Sequence, residues 1–191
     1  MEKFKIGYLS LCMLLIFLGG CGWFGAQNKD AEQIPTNAEP ALTAKADMID
    51  TKGKEVGTVE FTETSEGVRI HVKMENVPKG EHGFHIHEVG KCEKPGFESA
   101  GSHFNPLDRE HGFENPRGFH AGDLPNIAPN EDGKVDVVFL VKNITLQKDR
   151  ENSLFDEDGS SVVLHEKPDD YKTDPSGESG ARIACGVIES N

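Results

Sequence analysis

The sequence predicts an all-β fold, either an antiparallel sandwich or a barrel, on three observations. Apolar residues alternate with polar ones in several short segments, glycine-containing turns separate those segments, and no segment has a convincing helical period. Alternation with a period of two indicates strands that bury one face. Many short strands joined by such turns are typical of antiparallel sandwiches and barrels.

The predicted strands follow from the alternating positions, taken along the chain. These positions are Leu42, Ala44, Ala46 and Met48, then Val59 and Phe61, then Val68, Ile70, Val72 and Met74, and later Val135, Val137, Phe139 and Val141. Turns are predicted at 51–53, 65–67, 78–80, 130–133 and 157–159, because Gly, Asn, Asp and Pro adopt the backbone conformations that turns need. The alternating apolar side chains are expected to face the core.

Two stretches interrupt the alternation and are predicted to be loops. Residues 90–133 are rich in Gly, Pro and Asn, and residues 166–181 are similar but shorter. A strandless stretch of some forty residues is unusual in a compact domain unless something organises it. The first stretch carries three histidines and Asp123, which suggests that a metal ion is the organiser.

The N-terminus predicts export and a lipid anchor. Lys3 and Lys5 precede an apolar run over 6–18, and Leu-Gly-Gly-Cys follows, ending at Cys21. This pattern resembles a bacterial lipoprotein signal over 1–20, in which Cys21 is lipidated and becomes the new N-terminus. An ordinary signal peptide or an uncleaved anchor helix is the alternative. Residues 21–40 then form a flexible polar tether, and residues 41–191 form the folded domain.

The charge of the chain narrows the choice of partners. Loss of Glu2, Lys3 and Lys5 with the leader changes the formal net charge from −13 to −14. So acidic a product is not expected to bind nucleic acid, and it lacks the basic patch that would hold an anionic membrane. We therefore expect the protein to stay on the outer or periplasmic side of a bacterial cell membrane through the lipid on Cys21.

Two of the four cysteines belong to the predicted leader and lipid site, and the other two belong to the predicted folded domain. Cys12 lies in the leader and Cys21 is the predicted lipid site, which leaves Cys92 and Cys185. An even pair in an oxidising compartment predicts a disulfide, worth roughly 4–5 kcal/mol for so long a loop. Two free buried thiols are the alternative.

The histidines point to metal binding. His85 and His87 would share one face of a strand, although two such histidines are a weak signal alone. The second pattern is His103-x7-His111-x8-His120-x2-Asp123. Three imidazoles and one carboxylate suit tetrahedral zinc, and a closed zinc site here would be structural, because its ligand bonds would fold the long loop.

Five sequence blocks together resemble the copper/zinc superoxide dismutase family. They are GFHIHE at 83–88, GSHFNP at 101–106, HAGDLPN at 120–126, VLHEK at 163–167 and GARIACGV at 180–187. The resemblance extends over about residues 41–189. It implies an eight-stranded antiparallel Greek-key β-barrel with two long loops, a zinc loop and an active-site loop.

The resemblance also implies a role for each site residue. The copper ligands would be His85, His87, His103 and His165. The zinc ligands would be His103, His111, His120 and Asp123, with His103 shared between the ions as a bridging imidazolate. Cys92 and Cys185 match the intrasubunit disulfide of the family. Arg182 matches the arginine that holds the anionic substrate, and Asp169 matches a carboxylate that links a copper ligand to a zinc ligand. His82 matches a histidine that is not a ligand, and His71 has no match.

The activity implied is disproportionation of superoxide to O2 and hydrogen peroxide, with one copper and one zinc per subunit. Arg182 and His103 would be the catalytic residues. Only Lys172 is basic among residues 169–176, so the sequence leaves the strength of electrostatic steering open. A dismutase-like surface lipoprotein that binds copper and zinc without turnover is the main alternative. A zinc hydrolase is disfavoured because His103, His111, His120 and Asp123 would fill the zinc shell. A homodimer is possible.

Overall fold

A computed structural model of the protein describes residues 41–191. The predicted signal over 1–20, the lipid site at Cys21 and the tether over 21–40 lie outside the described residues. Within residues 41–191, no helix has the length and apolar character needed to cross a membrane.

The described residues form eight β-strands, and all their pairings are antiparallel. The strands are β1 Thr43–Asp50, β2 Glu55–Thr64, β3 Gly67–Met74, β4 Phe84–His87, β5 Val135–Val141, β6 Ser161–His165, β7 Arg182–Val187 and β8 Glu189–Ser190. The one helical element in this part of the chain is a 3-10 turn at Glu98–Ala100. The all-β prediction is therefore confirmed.

The order of the strands identifies the predicted Greek-key barrel. Neighbours in the sheet run β4-β6-β7-β1-β2-β3-β5, and β8 pairs with β1. The chain leaves β3 for β4 at the far end of this order, returns to β5 beside β3, and crosses again to β6 beside β4. Such long crossings between antiparallel strands define Greek-key connectivity.

The core lies inside the curved sheet, where the alternating residues predicted it. Met48, Val59 and Ile70 are fully buried, and the same cluster includes side chains from β4, β6 and β7. Burial of such side chains contributes about 1.5–3 kcal/mol each. One expectation is wrong: Leu42 is 47% exposed, because it lies outside β1, which begins at Thr43.

The two predicted loops are confirmed, and both extend from the strands that carry histidines. The first joins β4 to β5 and the second joins β6 to β7. The first loop folds back onto β4: the Ile86 N–H donates to the Gly122 carbonyl at 2.9 Å, and the Phe104 N–H donates to the Ile86 carbonyl at 2.9 Å. A Cβ on Gly122 would overlap the Ile86 carbonyl oxygen, so a glycine is needed for this close approach.

The predicted disulfide is confirmed. Cys92 and Cys185 are bonded, with their Cα atoms 5.7 Å apart. The bond ties the start of the first loop to β7, three residues after Arg182.

Candidate metal centre

The predicted ligand residues are buried side by side at the junction of β4, β6 and the first loop. Six histidines and Asp123 are each at most 6% exposed; they are His85, His87, His103, His111, His120, His165 and Asp123. Buried polar groups almost always have a hydrogen-bonding or metal partner, so the arrangement of these nitrogens and oxygens indicates what the site can hold.

The first group of donors contains four imidazoles. They belong to His85, His87, His103 and His165, and one nitrogen from each lies within 4.8 Å of the others. The His87 Nε2 and His165 Nε2 atoms are 3.4 Å apart. Two more nitrogens, His85 Nδ1 and His103 Nε2, are buried without a partner. Four convergent nitrogens, two of them unsatisfied, suit an ion such as Cu(II) that favours nitrogen ligands in a tetragonal arrangement.

Backbone carbonyls orient two of these rings. The Nδ1 atom of His87 lies 3.0 Å from the Gly101 carbonyl oxygen, and the Nδ1 atom of His165 lies 3.3 Å from that of Gly180. A carbonyl can only accept, so each Nδ1 carries the proton. The Nε2 lone pairs are then free to bind an ion, as is usual for histidine ligands.

The second group contains three imidazoles and one carboxylate oxygen. Asp123 Oδ1 lies 2.8 Å from His103 Nδ1, 3.0 Å from His111 Nδ1 and 3.3 Å from His120 Nδ1. Tetrahedral zinc with bonds of about 2.0–2.1 Å would place its ligands about 3.3 Å apart, close to these separations. Asp123 Oδ2 accepts the backbone N–H groups of Gly112 and His120, which aims Oδ1 into the group.

His103 is the one residue that belongs to both groups. Its Nδ1 faces the second group and its Nε2 faces the first. The two groups have the same members as the two predicted ligand sets. That they bind copper and zinc, with His103 between the ions, stays a prediction.

Asp169 connects the two groups from behind. Its Oδ2 accepts the Nε2 proton of His85 and its Oδ1 that of His111, each at 2.9 Å. Both hydrogen bonds leave the Nδ1 atoms of these histidines directed into their groups. Asp169 therefore contacts one member of each group; that it links a copper ligand to a zinc ligand stays a prediction.

The pKa values of the buried groups follow from burial and from these contacts. Burial lowers the pKa of His103 to about 3 and that of His165 to about 2, so both are neutral at pH 7. Burial also lowers the pKa of His111, but hydrogen bonds to Asp123 and Asp169 outweigh it and raise the value to about 9. Burial tends to raise the pKa of the Asp123 and Asp169 carboxyl groups, yet hydrogen bonds from the histidines hold both pKa values far below the usual range.

Arg182 lies at the opening of the first group. It lines a cavity of about 230 Å³ together with His87, His103 and His165. Its guanidinium donates to the carbonyl oxygens of Phe97 and Gly101, both at 2.6 Å. These bonds fix a half-buried cation beside the rings, where it can attract a small anion.

The remaining predicted residues lie outside both groups. His71 is on β3 and contacts Asp136, and His82 is buried against the carbonyl oxygens of His165 and Pro78. Lys172 is exposed and forms an ion pair with Glu114 at 2.5 Å. Its charge is therefore locally compensated, which weakens its value for steering.

Asn126 and Tyr171 hold Asp169 in place, and neither residue is predicted from the sequence to do so. Asn126 accepts the Asp169 N–H and donates to its carbonyl oxygen, both at 2.9 Å. The Tyr171 N–H donates to Asp169 Oδ1 at 2.6 Å. Asn126 closes the block HAGDLPN, but nothing in its spacing indicates contact with a residue 43 positions further along the chain.

Comparison with known proteins agrees with this geometry. The family model for copper/zinc superoxide dismutase (SODC) matches residues 55–188. The chain is 45% identical to the superoxide dismutase-like protein YojM of Bacillus subtilis, over 96% of each chain. It is 48% identical to superoxide dismutase [Cu-Zn] 1 of Aquifex aeolicus, over 78% of this chain and 88% of the relative.

A solved structure agrees as well. The crystal structure of a SOD-like protein from Bacillus subtilis superposes with a TM-score of 0.73 at 49% identity, covering 75% of this chain and 96% of the other. Fold and site thus define a Greek-key barrel with two adjoining groups of metal-binding side chains. The chain belongs to the copper/zinc superoxide dismutase family.

Proposed function

We propose that this protein is an active superoxide dismutase, with copper held by the first group of donors and zinc by the second. The convergence of four imidazole nitrogens beside Arg182 carries the proposal. Copper bound there would supply one-electron chemistry, by which two superoxide ions and two protons become O2 and hydrogen peroxide. Zinc does not change its oxidation state, so its role is structural.

The residues of this chain would bind superoxide, position it and supply protons. Arg182 offers a fixed cation beside the cavity and would hold the anion close to the imidazoles. At about 5 Å and an effective dielectric constant of 20, one unit charge is worth roughly 3 kcal/mol. Surface carboxylates beyond about 8 Å are screened at physiological salt, so this local charge would outweigh the formal net charge of −14 that follows from loss of Glu2, Lys3 and Lys5 with the leader.

His103 is suited to handle a proton at the cavity. Its Nε2 atom faces the first group and is buried without a partner, while its Nδ1 faces Asp123. A ring held through Nδ1 can keep its orientation while Nε2 gains or loses a proton. Because His103 also lines the cavity that contains Arg182, a proton at Nε2 would lie next to the bound anion.

A binding protein without turnover is the second candidate. A relative that is 45% identical over 96% of the chain is named only as superoxide dismutase-like, which favours this alternative. The complete set of four imidazoles and Arg182 at one cavity favours catalysis, because storage of an ion needs no cation that attracts an anionic substrate.

We also propose a cellular location for the protein. A lipid on Cys21 would anchor the exported protein to a bacterial cell membrane, and residues 21–40 would separate the barrel from it. The nineteen residues 22–40, as a random coil, would span roughly 25 Å. Whether the barrel forms a homodimer there stays an open prediction.

The test is superoxide decay in a Cys21→Ser chain that starts at residue 21, loaded with zinc and then with copper. We expect rapid decay in the parent chain and loss of at least tenfold in His165→Ala, which removes one predicted copper ligand. His71→Gln is the matched control, because His71 lies outside both groups. A parent chain that contains both metals yet is no faster than His165→Ala would support the binding protein instead.

A further inference from the structure

Tyr171 lies where the two long loops meet. It follows Asp169 by two residues in the loop between β6 and β7. Its backbone has φ +62°, a left-handed conformation that disfavours every residue with a bulky side chain. Glycine would fit this position without strain, so the side chain of Tyr171 needs a reason to be there.

The contacts of Tyr171 supply that reason. Its hydroxyl oxygen accepts the Asn126 N–H at 2.8 Å, and its carbonyl oxygen accepts the Glu114 N–H at 3.0 Å. Its ring centroid is 5.5 Å from that of Phe113. Asn126 lies three residues after Asp123, and Phe113 lies two residues after His111. One residue of the second loop therefore contacts the first loop at two places, just after His111 and just after Asp123.

The same residue also holds the carboxylate that connects the two groups. The Tyr171 N–H donates to Asp169 Oδ1, the oxygen that also faces His111. Asn126, bound to the Tyr171 hydroxyl, contacts the Asp169 backbone on both sides. The other Asp169 oxygen faces His85 of the first group. A continuous series of contacts thus runs from the zinc loop through Tyr171 and Asp169 to a predicted copper ligand.

We propose that Tyr171 is a positioning residue that couples the two metal sites: an ordered zinc loop fixes Tyr171 and Asp169, and these orient His85 for copper. The proposal rests on the two metal sites proposed above and not on turnover. It assigns to the hydroxyl of Tyr171 a role that a purely structural aromatic residue would not have.

The test uses Tyr171→Phe in the Cys21→Ser chain, which keeps the ring and removes the hydroxyl. The coupling factor is the Cu(II) dissociation constant without zinc divided by that with zinc, measured by competition with a chromophoric chelator. We expect Tyr171→Phe to raise the Zn²⁺ dissociation constant by about 2- to 10-fold, the effect of one lost hydrogen bond. The coupling factor should fall by at least twofold.

Thr173→Val is the matched control. It removes a hydroxyl from the same loop, where the Thr173 Oγ1–H donates to Asp170 at 2.5 Å and does not reach Asp169. Its coupling factor should equal that of the parent chain. A Tyr171→Phe chain that loses stability but keeps the parent's coupling factor would overturn the proposal, because its role would then be structural only.

A second measurement does not depend on metal. Because the Asn126 N–H donates to the Tyr171 hydroxyl, its hydrogen exchange in the metal-free protein should be at least threefold faster in Tyr171→Phe than in the parent or in Thr173→Val. Equal exchange rates in all three chains would overturn the proposal. Failure of the parent chain to bind metal would defeat the proposed function and the coupling with it, while the exchange rates would still show whether the Tyr171 hydroxyl holds the first loop.

Discussion

Substitution of Gly122 by alanine is expected to detach the zinc loop from β4. The Gly122 carbonyl oxygen accepts the Ile86 N–H at 2.9 Å, and the Gly122 N–H donates to the Phe104 carbonyl oxygen at 2.8 Å. An added Cβ would overlap the Ile86 carbonyl oxygen and lie 3.0 Å from the Phe104 nitrogen. Both neighbours are backbone, so neither can rotate away as a side chain could. The loop must move, and it carries Asp123 next to Gly122 and His103 next to Phe104.

The magnitude follows from the contacts that are lost. Two or three backbone hydrogen bonds at about 0.5–1.5 kcal/mol each give a loss of about 1–4.5 kcal/mol in the free energy of unfolding. For a chain of this size that corresponds to a melting temperature lower by about 2–18 °C. The zinc site should weaken too, because two of its four predicted ligands are displaced.

The assay is urea unfolding of the metal-free protein together with a Zn²⁺ dissociation constant. Gly159→Ala is the control, since a Cβ there has no neighbour closer than 3.7 Å. That variant should lose only about 1–2 kcal/mol, the cost of φ +66° for alanine, and should bind zinc normally. If Gly122→Ala stayed within 0.5 kcal/mol of wild type and bound zinc equally well, close packing of this loop on β4 would not support the site.

Three further predictions concern charge and protons. Zinc binding at pH 8 should release close to one proton per protein, because zinc displaces the extra proton of His111, whose pKa is about 9. Calorimetry in buffers of different ionisation enthalpy measures the number of protons released. Zinc binding without proton release would contradict the prediction. In the metal-free protein, burial lowers the pKa values of His103 and His165 to about 3 and about 2, so the unfolded chain binds more protons than the folded one below pH 6.5. The free energy of unfolding should therefore fall by about 2–3 kcal/mol per pH unit from pH 6 to 4. The raised pKa of His111 does not offset this slope, because the stability that protonated His111 contributes is fully present below pH 6.5 and is lost only as the pH rises through 9. Urea unfolding at pH 6, 5 and 4 measures the slope, and equal stability at all three pH values would contradict the prediction. Removal of the whole ion pair, in Lys172→Gln/Glu114→Gln, should change superoxide decay by less than twofold at low salt, because the pair carries no net charge. A larger loss would restore Lys172 as a steering residue.

The sequence was sufficient for the fold and for the members of both donor groups. Period-two alternation located β1, β2, β3 and β5 because each buries one face, as at Ile70 and Met48. The histidine spacing and the five sequence blocks anticipated which side chains come together. The disulfide is predictable because Cys12 and Cys21 fall in the predicted signal and lipid site, which leaves only Cys92 and Cys185.

The contacts between the two loops could not be predicted in the same way. Asn126, Glu114 and Tyr171 contact residues far away in the chain, and in each contact at least one partner is a backbone atom. A backbone partner leaves no pattern in residue type. The pairing of Lys172 with Glu114 likewise depends on the path of both loops. Leu42 continued the alternation of β1 by coincidence, since the strand begins at Thr43.

The most direct test of the central claim is a crystal structure of the oxidised protein grown with both metals, with anomalous data collected at the copper and zinc edges. We predict a copper signal at His103 Nε2 and a zinc signal at His103 Nδ1, each with a bond of about 2.0–2.1 Å. A structure that contains both elements while His103 binds only one of them, or neither, would contradict the account.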